Sequence, residues 1–184
     1  KKLNVNLVSR SSFTHEIEGT LITKEENIME KAIVSGIALD RDQIRVGMYG
    51  VIDKPGIASS IFTTLADANI NVDMIVQTVG LDGKTNLDFT IPTNDLDKTK
   101  SVMEQFQEDS YKIDYNESIC KVSIVGVGMK SHTGVASKAF NTLAQNNINI
   151  RIISTSEIKI SMIIEEKYAE LAVRSLHDAY ELDK

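Results

Sequence analysis

The chain has no tryptophan, one cysteine and two prolines in 184 residues, and aromatics make up only 5% of it. Each scarcity excludes something. A single thiol, Cys120, rules out an internal disulfide, and its place in the apolar run 119–127 reads as a buried, inert side chain rather than a nucleophile. Lys and Arg number 20 against 26 Asp and Glu, a net charge of −6. That balance speaks against a protein that neutralises the phosphates of a nucleic acid, and against adsorption to an anionic membrane. No apolar run reaches the length that spans a bilayer, and no secretory signal pattern opens the chain. The expected compartment is the cytosol. His15, His132 and His177 are scattered, so no metal-ligand spacing can be read. There is no P-loop motif, and the G-x-G at Gly126 and Gly128 lacks the third glycine and the downstream acid of a dinucleotide site. No nucleophile–base set can be argued either, so neither a cofactor nor a catalytic residue is expected.

What is present is a repeat, the feature to seek before any other. Residues 45–79 give an apolar strand, a tight turn at Asp53-Lys54-Pro55-Gly56, an amphipathic helix and a second strand, and residues 121–155 repeat the pattern. At an offset of 78, Gly56, Ala58, Ser59, Phe62, Thr64, Leu65, Asn69, Ile70 and Asn71 meet Gly134, Ala136, Ser137, Phe140, Thr142, Leu143, Asn147, Ile148 and Asn149. In the first unit Ile57, Ile61, Phe62 and Leu65 share one helical face. Asp82-Gly83 is a hairpin signal, Leu87, Phe89 and Ile91 alternate on the returning strand, and Asn94 or Asp95 is placed to cap a second helix. A short strand at 111–115 completes βαββαβ. The second unit ends on its second helix, at 168–179, and lacks a fourth strand. The apolar run 32–39, which precedes the first unit, fits that vacancy. The expected architecture is α+β: two ferredoxin-like units with antiparallel sheets, the first (40–116) inserted into the second (32–39 plus 117–184). Residues 1–31, with a strand-like alternation at Leu3, Val5 and Leu7, read as the tail of something larger.

The turn at 52–58 carries the chemistry. Backbone N–H groups at a helix start are unsatisfied and partly positive, and they suit a carboxylate. Gly56 permits close backbone approach, and Asp53 would face an ammonium group. A zwitterionic amino acid needs that pair. The same four residues also make an ordinary tight turn, and the residues alone leave both readings open.

The stretches SGIAL, DKPG, NINVDMIVQ, VGVGMKSHTGVASKAF and NINIRIISTSEIKIS closely resemble the regulatory region of aspartokinase, with its tandem ACT domains, over residues 33–182. The opening SSF…EGTLI is similar to the end of that family's catalytic domain, whose Lys-Phe-Gly-Gly-Thr type motif is absent. The resemblance implies a regulatory region or separate small subunit of aspartate kinase (ATP:L-aspartate 4-phosphotransferase), not an enzyme on its own. It implies feedback control of aspartate-family amino-acid biosynthesis by threonine and/or lysine, a homodimer through ACT domains, and an aspartokinase catalytic subunit as partner. Carried over, the first effector site takes Asp53, Lys54, Pro55, Gly56, Ile57, Ala58 and Gln77, facing Asn147, Asn149 and Ile150. A second, equivalent site takes Asp73, Met129, Lys130, Ser131, His132, Thr133, Gly134, Val135 and Ser156. The pattern departs at Thr133, where proline is frequent in the family, and at Ala136, where some lysine-sensitive members carry a hydroxyl. Competing expectations are a stand-alone amino-acid-binding ACT sensor without a kinase partner, an RNA-binding module on the same fold, disfavoured by the acidic balance and missing strand aromatics, and a self-contained enzyme, which no residue set supports.

Overall fold

A computed structural model describes residues 7–10, 20–22, 34–80, 83–107, 112–126 and 134–183. Strands β1 (Leu7–Ser9) and β2 (Thr20–Ile22) form a small antiparallel pair. The readings at Leu3, Val5, 11–19, 32–33, Asp82, Tyr111 and 127–133 lie outside the described residues. Then come β3 (Gly36–Asp40), β4 (Ile44–Ile52), α1 (Ile57–Asp67), β5 (Ile75–Val79), β6 (Lys84–Ile91), α2 (Leu96–Met103) and β7 (Lys112–Asn116). They are followed by β8 (Ile119–Val125), α3 (Val135–Gln145), β9 (Ile150–Thr155), β10 (Lys159–Glu165) and α4 (Ala169–Ala179). The strands form two four-stranded antiparallel sheets, ordered β5-β6-β4-β7 and β3-β8-β10-β9.

Strand alternation builds the cores. On β4, Ile44, Val46 and Met48 point to the helix side with Phe89 and Ile91 of β6, and meet Ile57, Ile61 and Leu65 of α1 and Met103 of α2. Phe89 is fully buried, and its ring meets Phe62 edge-on at 5.5 Å, a favoured aromatic geometry. The second core has the same plan, with Cys120, Val122 and Ile124 of β8 against Ala139 and Leu143 of α3 and Ala172 and Leu176 of α4. Tyr180, just past α4, donates its hydroxyl to the Val135 carbonyl at 2.7 Å and fastens the end of α4 to the start of α3. A third, smaller cluster joins the units: Met74 of the first packs with Ile119, Ile152 and Ile163 on the far face of the second sheet. No described helix is long and apolar enough to cross a membrane.

The repeat read from sequence is a repeat of backbone conformation. Gly56 and Gly134 both precede their helices in the left-handed region, at φ 97° and 98°. Asn69 and Asn147 both follow them there, at 53° and 55°. Thr64 and Thr142 donate their hydroxyls to carbonyls one turn back, Ser60 at 2.9 Å and Lys138 at 2.8 Å.

Some boundaries differ from the sequence reading. The second strand expected at the end of residues 45–79 begins only at Ile75. Before it, Thr90 alone holds the chain: Asp73 N–H donates to its carbonyl (3.1 Å) and Met74 N–H to its hydroxyl (3.2 Å), while Thr90 N–H donates to the Met74 carbonyl (3.0 Å). The strand expected at 32–39 runs over Gly36–Asp40. Asp95 precedes α2, but its side chain makes no capping bond. A 3₁₀ turn over Thr93–Asp95 starts that helix instead, held by Asp42, whose carboxylate accepts from Thr93 N–H at 2.8 Å and from its hydroxyl.

Two outcomes are expected. An added Cβ at Gly134 meets no atom within 4 Å, so the penalty of Gly134→Ala is conformational; it should be about 1–2 kcal/mol in urea unfolding. Burial pushes the Cys120 thiol up to about 11, so an alkylating reagent at neutral pH should modify it only after denaturant is added.

Candidate functional site

The turn between β4 and α1 is fixed from both sides. Asp53 N–H donates to the Gly83 carbonyl at 2.9 Å, which ties the turn to the β5–β6 hairpin. Ile57 N–H donates to the Lys54 carbonyl (3.2 Å) and Ser60 N–H to the Gly56 carbonyl (2.9 Å). Between them, no carbonyl among the described residues accepts from the N–H of Ala58 or Ser59, and no side chain caps α1. Two donors therefore project from the positive end of a helix, as an anionic group requires.

Beside them is a shallow hollow, without room for a water molecule, where Ile57 and Ala58 face Gln77 and Leu87. Thus three of the sequence-predicted site residues, Ile57, Ala58 and Gln77, converge. Asp53, Lys54, Pro55 and Gly56 form the exposed turn above it. Asn147, Asn149 and Ile150 do not line this hollow. They sit in the other unit, where Asn147 turns the chain out of α3 and Ile150 opens β9 opposite Ile164. Gln77 lies on β5 and Ile150 on β9, the outermost strands of their sheets on that side. Both halves of the predicted site are at sheet edges. Those edges carry exposed apolar side chains, with Val79 80% and Ile75 51% accessible on β5 and Ile153 44% on β9. Unpaired N–H and C=O groups along such an edge offer themselves to another strand.

Of the second predicted set, Met129, Lys130, Ser131, His132 and Thr133 lie outside the described residues. Gly134 and Val135 start α3, and Ser156 closes the β9–β10 hairpin through its N–H to the Lys159 carbonyl at 2.7 Å. Asp73 is elsewhere, on a polar cleft of about 480 Å³ between the units that Asp40, Asp42, Gln43, Asn71 and Lys121 also line. There the Lys121 ammonium pairs with Asp73, and with Asp40 at 3.0 Å. The Gln43 side-chain amide donates to Asp40 at 2.9 Å. Burial pulls the Lys121 ammonium toward its neutral form, but hydrogen bonds and charge from Asp73 and Asp40 prevail and raise its pKa. The sequence reading missed Lys121 and Asp40. The available signal was a lone lysine in the buried strand ICKVSIV, a position that demands a counter-charge.

His177 is one of the three histidines that the sequence scatters without metal-ligand spacing. It is half-buried, its Nδ1 lies 3.4 Å from Asp183, and Asp178 and Asp183 gather round it near the end of α4.

Comparisons with known proteins agree with this architecture. Models described as the ACT domain match residues 44–110 and 122–180. Helicobacter pylori aspartokinase is 61% identical over 188 residues, an alignment that takes in 100% of this chain and 46% of that protein. The chain thus spans about half the length of the curated relatives it matches. A crystal structure of aspartokinase alpha and beta subunits matches at 50% identity and a TM-score of 0.75, over 81% of this chain and 99% of the other. The ligand-free regulatory subunit of aspartate kinase from Thermus thermophilus matches at 38% identity and a TM-score of 0.75, over 80% and 99%. Two ACT matches, and near-complete coverage of known subunits at these identities, show that the chain belongs to the aspartokinase family, as its tandem-ACT regulatory part.

Proposed function

We propose that the chain is the feedback sensor of an aspartate kinase, and that it binds threonine and/or lysine to control aspartate phosphorylation by a catalytic partner. The observation that carries this reading is the convergence of free helix-start N–H groups at Ala58 and Ser59 with the Gln77 side chain beside a small hollow. An α-carboxylate would lie on the helix start, Asp53 would offset the ammonium group, and the Gln77 amide, donor and acceptor at once, would read a side-chain hydroxyl or amine. Asn147, Asn149 and Ile150 would complete the site from a second copy, through β5 of one chain meeting β9 of another. The exposed apolar side chains on both edges support that pairing. A second site would form from Asp73 of one copy with the 129–135 turn and Ser156 of the other. The units are taken as 40–116 and 32–39 plus 117–184, after a kinase-domain tail at 1–31.

The test is calorimetric titration of threonine and lysine. Effector at 100 times its Kd should stabilise the native chain by about 2.7 kcal/mol. Asp53→Ala should raise the Kd roughly ten- to hundredfold, because a hydrogen bond to a charged group is worth about 1.5–3 kcal/mol. Gln77→Ala should lose less and change which amino acid is preferred. Unchanged affinities in both folded variants would make the turn structural only. Light scattering with effector present should report a dimer at micromolar concentration. The chain alone should form no aspartyl phosphate from ATP and aspartate, and a purified catalytic subunit should become effector-sensitive when the chain is added.

A further inference from the structure

The end of α4 brings together three metal-ligating side chains that the effector reading does not use. Tyr180, Glu181 and Leu182 each donate a backbone N–H to a carbonyl of the last turn: Leu176 at 3.0 Å, Asp178 at 3.1 Å and His177 at 3.2 Å. Glu181 takes a left-handed conformation, φ 56°, and the chain reverses. Leu182 then packs on the second core, and Asp183 comes back against His177. As a result the His177 ring, Asp178 and Asp183 each offer a ligand atom, and the three atoms lie within 4.8 Å of one another.

Charge and spacing both point to a cation there. Asp178 and Asp183 stand at the C-terminal end of a helix, the negative end of its dipole, where a carboxylate is disfavoured and a cation favoured. Among the described residues Asp178 pairs with no cation, and Asp183 with none but His177. The His177 Nδ1 is 3.4 Å from the Asp183 carboxylate, longer than the roughly 2.7–3.2 Å of a good N–H···O bond. Nitrogen and oxygen ligands on one tetrahedral zinc ion, each about 2.0–2.2 Å from the metal, stand about 3.4 Å apart.

We propose that His177, Asp178 and Asp183 form a binding site for a first-row divalent metal ion of the zinc class, with water completing the coordination. The imidazole nitrogen selects Zn²⁺ or Ni²⁺ over Mg²⁺ and Ca²⁺, which prefer all-oxygen sets. His177 binds through the Nδ1 lone pair of the neutral ring, its proton on Nε2. Both carboxylates are exposed, so rotation of their side chains closes the remaining distance. The ion fastens the chain after α4 to the helix it leaves, beside the Tyr180 bond to α3. The site is independent of amino-acid binding.

The test is calorimetric titration of Zn²⁺, and separately of Mg²⁺, into the untagged whole chain near neutral pH. Zn²⁺ should bind, and Mg²⁺ should bind at least about tenfold more weakly. His177→Gln and Asp183→Asn should each raise the Zn²⁺ Kd about tenfold or more, a direct ligand being worth at least as much as the groups that support one. Asp183 is 80% accessible, so its variant keeps the fold and decides the matter if His177→Gln disturbs α4. In proton NMR, Zn²⁺ should move the ring signals of His177 and leave those of His15 and His132 in place. No saturable Zn²⁺ binding, a Kd unmoved by Asp183→Asn, or a Kd raised instead by His132→Gln overturns the proposal.

Discussion

The pairing of β3 with β8 is the constraint from which the rest of the architecture follows. Asp40 stands opposite Lys121 in the antiparallel register, although residues 41–120 lie between them in the chain. The first unit must therefore leave the second sheet and return to it at neighbouring strands. The crossings run together, the first held by charge and the second by a backbone bond. At the first, Arg41 reaches Glu166 at 3.6 Å and Glu170 at 3.3 Å near the start of α4, while Asp40 holds Lys121. At the second, Ser118 supplies the carbonyl that Glu166 N–H donates to at 3.0 Å. Exposed pairs of this kind contribute little individually. The buried Lys121 differs, because deleting both of its counter-charges would leave an uncompensated ion on a largely covered side chain.

Much of the fold was legible because the signals are local. The helical stripe of Ile57, Ile61 and Leu65, the alternation on β4 and β6, and the glycine before each helix are set by residues within one turn or one pleat of each other. The offset repeat multiplied that signal, and the two glycines before the helices agree to within a degree of φ. The vacancy in the second unit was readable too, as a count of strands. What escaped the sequence was pairing over long separations. Asp73 and Lys121 are 48 positions apart, and no spacing rule links them. The late start of β5 has the same origin, since Thr90, which holds Asp73 and Met74 through its backbone and its hydroxyl, belongs to another strand.

The candidate site divides along the same line. Its turn half, from Asp53 to Ala58, is a short contiguous motif whose conformation glycine and proline dictate, and it could be read directly. Its strand half was only partly accessible. Gln77 reaches the hollow because odd positions of β5 face α1, a consequence of the register that sets it opposite Leu87. Asn147, Asn149 and Ile150 are placed by the repeat at the matching corner of the other unit, and a single chain gives them no route to Gln77.

The insertion also orders events during folding. Closing β3 onto β8 across a disordered loop of residues 41–120 carries an entropic penalty of about 4 kcal/mol, and pairings so distant in sequence slow a folding reaction. Once the first unit has formed, its own β4–β7 pairing holds Arg45 against Asn116, and the remaining gap to either side is a few residues. The inserted unit is thus a scaffold for its host: the second sheet gains its edge strand cheaply only after the first sheet exists. A lesion confined to the first core would be felt as slow, incomplete closure of the second.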